Sequence, residues 1–391
     1  MSDVFIVSAV RTPMGGFQGE LSSLSAIDLG AHSIRAALAR AQLDGGDIDE
    51  VIMGNVLPAG LKQAPARQAM RAAGLPDAVG ATTLNKVCGS GMKAVMLACD
   101  LIRAGSGRAV IAGGMESMSN APYLLPKARA GLRMGHAQMF DSMFLDGLED
   151  AETGRAMGSF AQATADAHQL TREAMDAFAV RSLERANAAI ASGALSAEIA
   201  PVQIVARNGT KTIEHDEQPQ KADPGRIPTL RAAFKSDGTI TAANSSSISD
   251  GASALVIVGA DVIRERGLAP LARIVAHATH SQAPSEFTLA PIGAINKLLA
   301  KTGWRSAEVD LYEINEAFAM VTMLAIEGLR LDPARVNVNG GACAQGHPIG
   351  STGARLIVTL VHALRARGGT RGIAALCIGG GEATAVAVEL V

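Results

Sequence analysis

Four residues of this chain have side chains suited to covalent catalysis and stand in settings suited to it. Cys88 lies in NKVCGSGMKA (85–94), among two glycines and a serine and immediately before an apolar run. His347 lies in the equally glycine-rich GGACAQGHPIGSTG (340–353), again before an apolar run. Cys377 ends IAALC and leads into Gly379, Gly380 and Gly381, while Asn315 closes VDLYEIN. A thiol on a turn before a helix meets unpaired backbone N–H groups and the positive end of the helix dipole, which favour a thiolate. A thiol facing an imidazole is the nucleophile and base pairing that covalent catalysis needs. The glycines after Cys377 would let a backbone N–H face a developing oxyanion, and Cys377 itself is a candidate second acid/base. Asn315 could orient a water or polarise a carbonyl.

Each residue also has a plainer reading. Cys88 could be a cysteine that happens to sit in a tight strand-to-helix connection, and His347 a satisfied polar residue. Cys377 could be core, and Asn315 a strand-end turn residue. The order of the surrounding elements argues against coincidence. A helix around DLGAHSIRAALARA leads to the strand DEVIMGNV, the Cys88 loop, the apolar helix MKAVMLACDLIR and the strand RAVIAGG. A helix around IGAINKLLAKTG leads to VDLYEIN, the His347 loop, the apolar helix ARLIVTLVHALR and the strand RGIAALCIGGG. Leu38 to Cys88 spans 50 residues and Leu299 to His347 spans 48, so spacing repeats with order. Two copies of one α/β unit are expected. Helices with so few polar positions must be covered on both sides, which places both in the middle of the molecule and brings the loops before them together.

Between the copies the character changes. Residues 117–140 carry Lys127, Arg129 and Arg133 without an acid, and an amphipathic helix follows Thr171 with the stripe Met175, Phe178, Leu183, Ala186 and Ile190, stopping at Gly193. Segment 207–238 is polar and charge-rich and reads as a solvated excursion. The expected division is an N-terminal core, 1–117, completed by about 249–269. A loop domain at 118–248 and a C-terminal core at 270–391 complete it.

The 391 residues are 48% hydrophobic with 3% aromatics and 42 glycines, a tightly packed α/β composition. Net charge is −2, which gives no reason to expect nucleic acid or an anionic membrane, and apolar runs break before spanning length. MSDVFIVSAVRTP reads as an immediate strand, so a cytoplasmic setting is expected. The four cysteines form no CxxC pair and have no His at ligand spacing, so no metal is expected. Cys99 reads as packing; Cys343 has no evident partner.

Together NKVCGSGMKA, GGMESMS (113–119), INEAFA (314–319), GGACAQGHPIGSTGARL and CIGGG resemble the thiolase family, in its order and over essentially the whole chain. The resemblance implies a duplicated five-layered αβαβα thiolase fold, with the loop domain closing over coenzyme A. It makes Cys88 the acylated nucleophile, His347 its activator and Cys377 the group that exchanges protons with the acyl donor's α-carbon or the incoming thiol. His347 and Asn315, the latter through a water, would polarise one thioester oxygen, and the N–H groups of Cys88 and Gly379 the other. Ser246, Ala317, Phe318 and Met157 would line the pantetheine tunnel and pocket wall.

Departures from the family pattern bear on substrate choice. Ala156 stands where short-chain members often have His. Gln220 stands for the loop arginine that meets coenzyme A, with Lys221 beside it as a substitute, and CIGGG is followed by EAT. The implied activity is the reversible joining of two acetyl-CoA into acetoacetyl-CoA and CoA, with CoA thioesters as substrates and no cofactor. A degradative 3-ketoacyl-CoA thiolase of wider tunnel, a carrier-protein ketoacyl synthase and a non-catalytic acyl-CoA binding protein are the rivals. Family members build tetramer contacts at APYLLPKARAGLRMGHAQM (121–139), so a homotetramer, alternatively a homodimer, is expected.

Overall fold

A computed structural model describes residues 3–206 and 209–391. Strands β1 (Val4–Arg11) and β2 (Gly15–Gly16) precede helix α1 (Ala26–Ala41). Then come β3 (Glu50–Gly54), α2 (Pro65–Ala72), β4 (Gly80–Leu84), α3 (Ser90–Arg103) and β5 (Ala109–Ser117). An excursion follows with the ladder of β6 (Tyr123–Leu124) and β7 (Phe140–Asp141), then α4 (Met157–Ala167) and α5 (Arg172–Ala191). It ends with the ladder of β8 (Val202–Ala206) and β9 (Gly209–Ile213) and the short α6 (Glu217–Lys221). The chain returns as β10 (Ser249–Gly259) and α7 (Ala260–Arg266). Its second half comprises β11 (Ala272–Ser281), α8 (Ala290–Thr302), β12 (Leu311–Ile314), α9 (Ala319–Leu329), the one-turn α10 (Ala342–Gln345), α11 (Ile349–Arg367), β13 (Arg371–Ile378) and β14 (Glu382–Leu390).

The strand order β4-β3-β5-β10-β1 continues as β11-β14-β13-β12. In the first half β3 pairs parallel with β5, β5 antiparallel with β10 and β10 antiparallel with β1. In the second, β12, β13, β14 and β11 pair in the same succession of senses. Within the sheet, among the described residues, the strands of the two halves pair through Phe5↔Arg273 and Ile6↔Ala272, and the register of β1 against β10 shifts between Ile6 and Ser8. Helices α3 and α11 pack on each other and touch strands of both halves, while α1 and α2 cover one outer face and α8 and α9 the other. These are the five layers of the expected fold. Both central helices are buried around most of their circumference, as their near absence of polar positions requires.

Their first turns touch backbone to backbone. A Cβ on Gly353 would stand 2.4 Å from the Met92 amide nitrogen, and one on Gly91 2.8 Å from that of Ala354. Only glycine permits that approach, and it carries the loops before both helices to one place.

In the insert, Thr171 caps α5 by accepting from the Ala174 N–H. Segment 207–238 is mostly exposed, as expected of a solvated excursion, but it sets Asp216 and Glu217 into the interior; its residues 207–208 lie outside the described residues. Asp216 is fully buried and takes both Nη1 and Nη2 of buried Arg11, at 2.6 and 2.9 Å, while Arg11 Nε meets Glu198 at 2.6 Å. Glu217 accepts from the Gly16 and Glu20 amides. A polar stretch can be core when its charges have buried partners elsewhere in the chain. Among the described residues no helix is long and apolar enough to cross a membrane.

Candidate active site

Cys88 sits on the turn from β4 into α3, and the turn is strained. Val87 adopts φ +47°, a left-handed conformation that a β-branched residue takes only when its surroundings impose it. Three contacts impose it. The Val87 amide donates to Asn85 Oδ1 at 2.8 Å, the Ser90 hydroxyl donates to the Val87 carbonyl at 2.7 Å, and Ser90 Oγ accepts from the Lys86 amide at 2.8 Å. Gly89 is needed because a Cβ there would lie 2.3 Å from Ile378 Cδ1 of the other half.

The helix N-terminus does not make Cys88 a resting thiolate, contrary to the expectation above. Burial pushes its pKa up to about 11, and the backbone N–H groups of Gly379 and of Cys88 itself only partly oppose this. Desolvation of the anion outweighs the dipole here. At pH 7 about one molecule in ten thousand carries the thiolate, so the nucleophile needs a base.

His347 is placed to be that base. Its amide is held by the Ser247 carbonyl at 3.1 Å and Ser249 Oγ at 3.2 Å. Its Nδ1 lies 2.6 Å from Thr352 Oγ1, and the Thr352 hydroxyl donates to the Pro348 carbonyl at 3.0 Å. With that proton committed, Thr352 accepts from Nδ1–H, and the network assigns the lone pair to Nε2. Nε2 is buried and has no hydrogen-bond partner among the described residues. Burial, then the charge of Arg355, lowers the pKa to about 3, so the imidazole is neutral and able to accept.

Glu116, fully buried at the end of β5, fixes the loop from the other half. It accepts from Asn55 Nδ2 (2.7 Å) and from the amides of Val56 (2.9 Å), Leu57 (3.2 Å) and Gly350 (2.9 Å). Burial raises its pKa to about 7, against four N–H donors that favour the carboxylate. Sequence reading missed this role, although a lone acid closing the apolar strand RAVIAGGMES was a usable signal. Thr352 was missed as well.

Cys377 is buried on β13 beside the Gly379–Gly381 turn; burial, then the neighbouring Cys88, raises its pKa. Asn315 follows β12, fully buried, with neither Oδ1 nor Nδ2 partnered among the described residues. Unpaired buried polar atoms of this kind usually mark sites where another molecule supplies the partner.

One cavity of about 250 Å³ receives Cys88, His347, Cys377 and Gly379, with Ser246, Ala317, Phe318 and Met157 on the same wall. Ala156, Leu148, Phe234, Phe287 and Ile349 are also among its lining, which makes the cavity mostly apolar with a few polar groups. Phe318 meets Phe234 and Phe287 edge to face, at centroid distances of 6.2 and 6.4 Å. Ser246 donates from both N and Oγ to the Ala317 carbonyl, at 3.0 and 3.1 Å. Lys221 does not reach this cavity. Its ammonium pairs with Glu217, one turn back on α6, and lines a separate hollow with Cys343 and Ser247. Cys343 Sγ donates to the Glu316 carbonyl, and Cys99 is core. Among the described residues no group of three or more His, Cys, Asp or Glu side chains is arranged to hold a metal ion.

The arrangement offers a neutral thiol, a neutral imidazole to deprotonate it, a second buried thiol and backbone N–H donors, all on one mostly apolar cavity. That set suits acyl transfer between thiols and carbon nucleophiles. Residues 4–261 match the family model for the thiolase N-terminal domain and 268–390 that for the thiolase C-terminal domain. The chain is 49% identical over 391 residues to the acetyl-CoA acetyltransferase of Escherichia coli, covering 100% of this chain and 99% of that one. It is 47% identical over 392 residues to the acetyl-CoA acetyltransferase of Schizosaccharomyces pombe, with the same coverage. The crystal structure of Acat5 thiolase from Ascaris suum in complex with coenzyme A superimposes with a TM-score of 0.95 at 43% identity, covering 100% of both chains.

Proposed function

The chain belongs to the thiolase family, and from that premise we propose that it is an acetyl-CoA C-acetyltransferase, joining two acetyl-CoA reversibly into acetoacetyl-CoA and free CoA. The observation that carries the reading is the unpartnered Nε2 of neutral His347 in the same cavity as the Cys88 and Cys377 thiols. His347 takes the Cys88 proton, and the thiolate adds to the thioester carbonyl. CoA leaves with the proton of Cys377, giving acetyl-Cys88 and the Cys377 thiolate, while His347 keeps the proton that it returns when the Cys88 sulfur is released. Cys377, as thiolate, then removes an α-proton from the second acetyl-CoA. The resulting enolate attacks acetyl-Cys88 and releases the Cys88 sulfur.

Two thiols that are neutral at rest can alternate as acid and base across these half-reactions. The N–H groups of Cys88 and Gly379 hold one developing oxyanion, and His347 with Asn315, the latter through a water, hold the other. Pantetheine runs past Ser246, Ala317, Phe318 and Met157. Lys221, largely exposed and paired with Glu217, lies outside this cavity on the hollow that also holds Ser247, and is the residue offered to the coenzyme A phosphates.

The oligomer proposed is a homotetramer built through loop 121–139, where Tyr123, Leu132, Met134 and Met139 are exposed, Met134 at 98%. Gel filtration tests it. The compartment proposed is the cytoplasm, in keeping with four free cysteines. The test of the activity is the thiolysis rate with CoA across 3-ketoacyl-CoA substrates from four carbons upward. A sharp preference for acetoacetyl-CoA is expected; rates that hold or rise with chain length would overturn the assignment in favour of the degradative reading.

A further inference from the structure

The turn carrying Cys88 and the turn carrying Gly379 come from opposite halves of the molecule and meet at few points. Val87 Cγ1 lies 3.6 Å from where a Gly379 Cβ would be, and Gly89 abuts Ile378. One charged contact joins them: Lys86 Nζ reaches Glu382 Oε2 at 2.5 Å, and Ser281 Oγ holds the other carboxylate oxygen at 3.1 Å. Lys86 stands two residues before Cys88, and Glu382 is the first residue of β14, paired with Ile378 across the glycine turn. The two side chains are 21% and 31% exposed.

We infer that the Lys86–Glu382 ion pair is a latch between the two turns, with both residues acting as positioning residues that fix the Cys88 sulfur against the Gly379 N–H. The inference rests on the reading of Cys88 as acyl carrier. A single ion pair still in reach of solvent contributes little to global stability, so its effect is sought in the rate. Val87 is held in a conformation it would otherwise leave, and the residue before it is tied on both sides, by its amide to Ser90 and by its ammonium to Glu382. Without the second tie the turn can relax and carry the sulfur off its line to the carbonyl, and small misplacements of a nucleophile are costly. Lys86 and Glu382 touch no reacting atom. Their charges can also be exchanged without removing the contact.

The test is rapid-quench formation of acyl-Cys88 from acetoacetyl-CoA, read by mass, beside steady-state thiolysis. It compares wild type, Lys86→Met, Glu382→Gln and the exchange Lys86→Glu with Glu382→Lys. Each single variant is expected to form acyl-Cys88 about fivefold more slowly, with KM for CoA within about twofold and melting temperature within about 2 °C. The exchange is expected to regain most of the rate, which a merely structural role would not produce. Single variants at the wild-type rate, or an exchange no faster than the singles, would overturn the latch. Absence of acyl-Cys88 in the wild type would instead overturn the acyl-carrier reading.

Discussion

Thr352 accepts the Nδ1 proton of His347 across 2.6 Å and gives its own to the Pro348 carbonyl, so a hydroxyl one turn into α11 decides which imidazole nitrogen is basic. Thr352→Val keeps the shape of the side chain and removes the acceptor. The expected result is a loss of about tenfold to a hundredfold in kcat with little change in KM, measured by steady-state thiolysis, because the wrong tautomer becomes accessible. Thr352→Ser should retain most of the activity.

Gly353 is the point at which the two central helices touch. Gly353→Ala places a methyl 2.4 Å from a backbone nitrogen that cannot move aside. Destabilisation of about 2–3 kcal/mol is expected from urea unfolding. Activity should fall further than stability accounts for, since the same crossing sets the separation of the Cys88 and His347 loops.

A neutral resting thiol has a kinetic signature. With the Cys88 pKa pushed up to about 11, alkylation by iodoacetamide should accelerate about tenfold per pH unit between pH 7 and 9.5 with no plateau. A plateau near neutrality would mean a preformed thiolate.

Acid stability should report His347. Its pKa falls from the ordinary 6.5 to about 3 on folding, so the unfolded chain binds the extra proton between those values. Stability from this group is complete above pH 6.5 and is lost as pH falls, by about 1.4 kcal/mol per unit down to pH 3. His32, His277 and His362 are shifted the same way by burial. His347→Asn should therefore make the pH dependence of urea stability shallower by about one proton without abolishing it.

What was legible in the sequence is what repeats or is local. The duplicated order of elements and the cap at Thr171 could be read because periodicity and capping act within a few residues. The Cys88 and His347 loops could be matched because their spacing recurs. What escaped is decided by partners distant in the chain. Glu116 meets Gly350, and Arg11 meets Asp216 and Glu198. None of these pairings leaves a periodic trace. The ionisation of Cys88 was misjudged because the helix dipole is visible in a sequence and the depth of burial is not.

The strand β10 lies between β1 and β5, yet it is synthesised after the whole excursion that separates Ser117 from Ser249. On a ribosome the first half therefore waits with two open strand edges for on the order of ten seconds at ordinary elongation rates. Nascent chains of that length are natural clients for a chaperone. Chains stalled before Ser249 should be protease-sensitive through β1 and β5, whereas chains in which Gly259 has cleared the exit tunnel should be protected there.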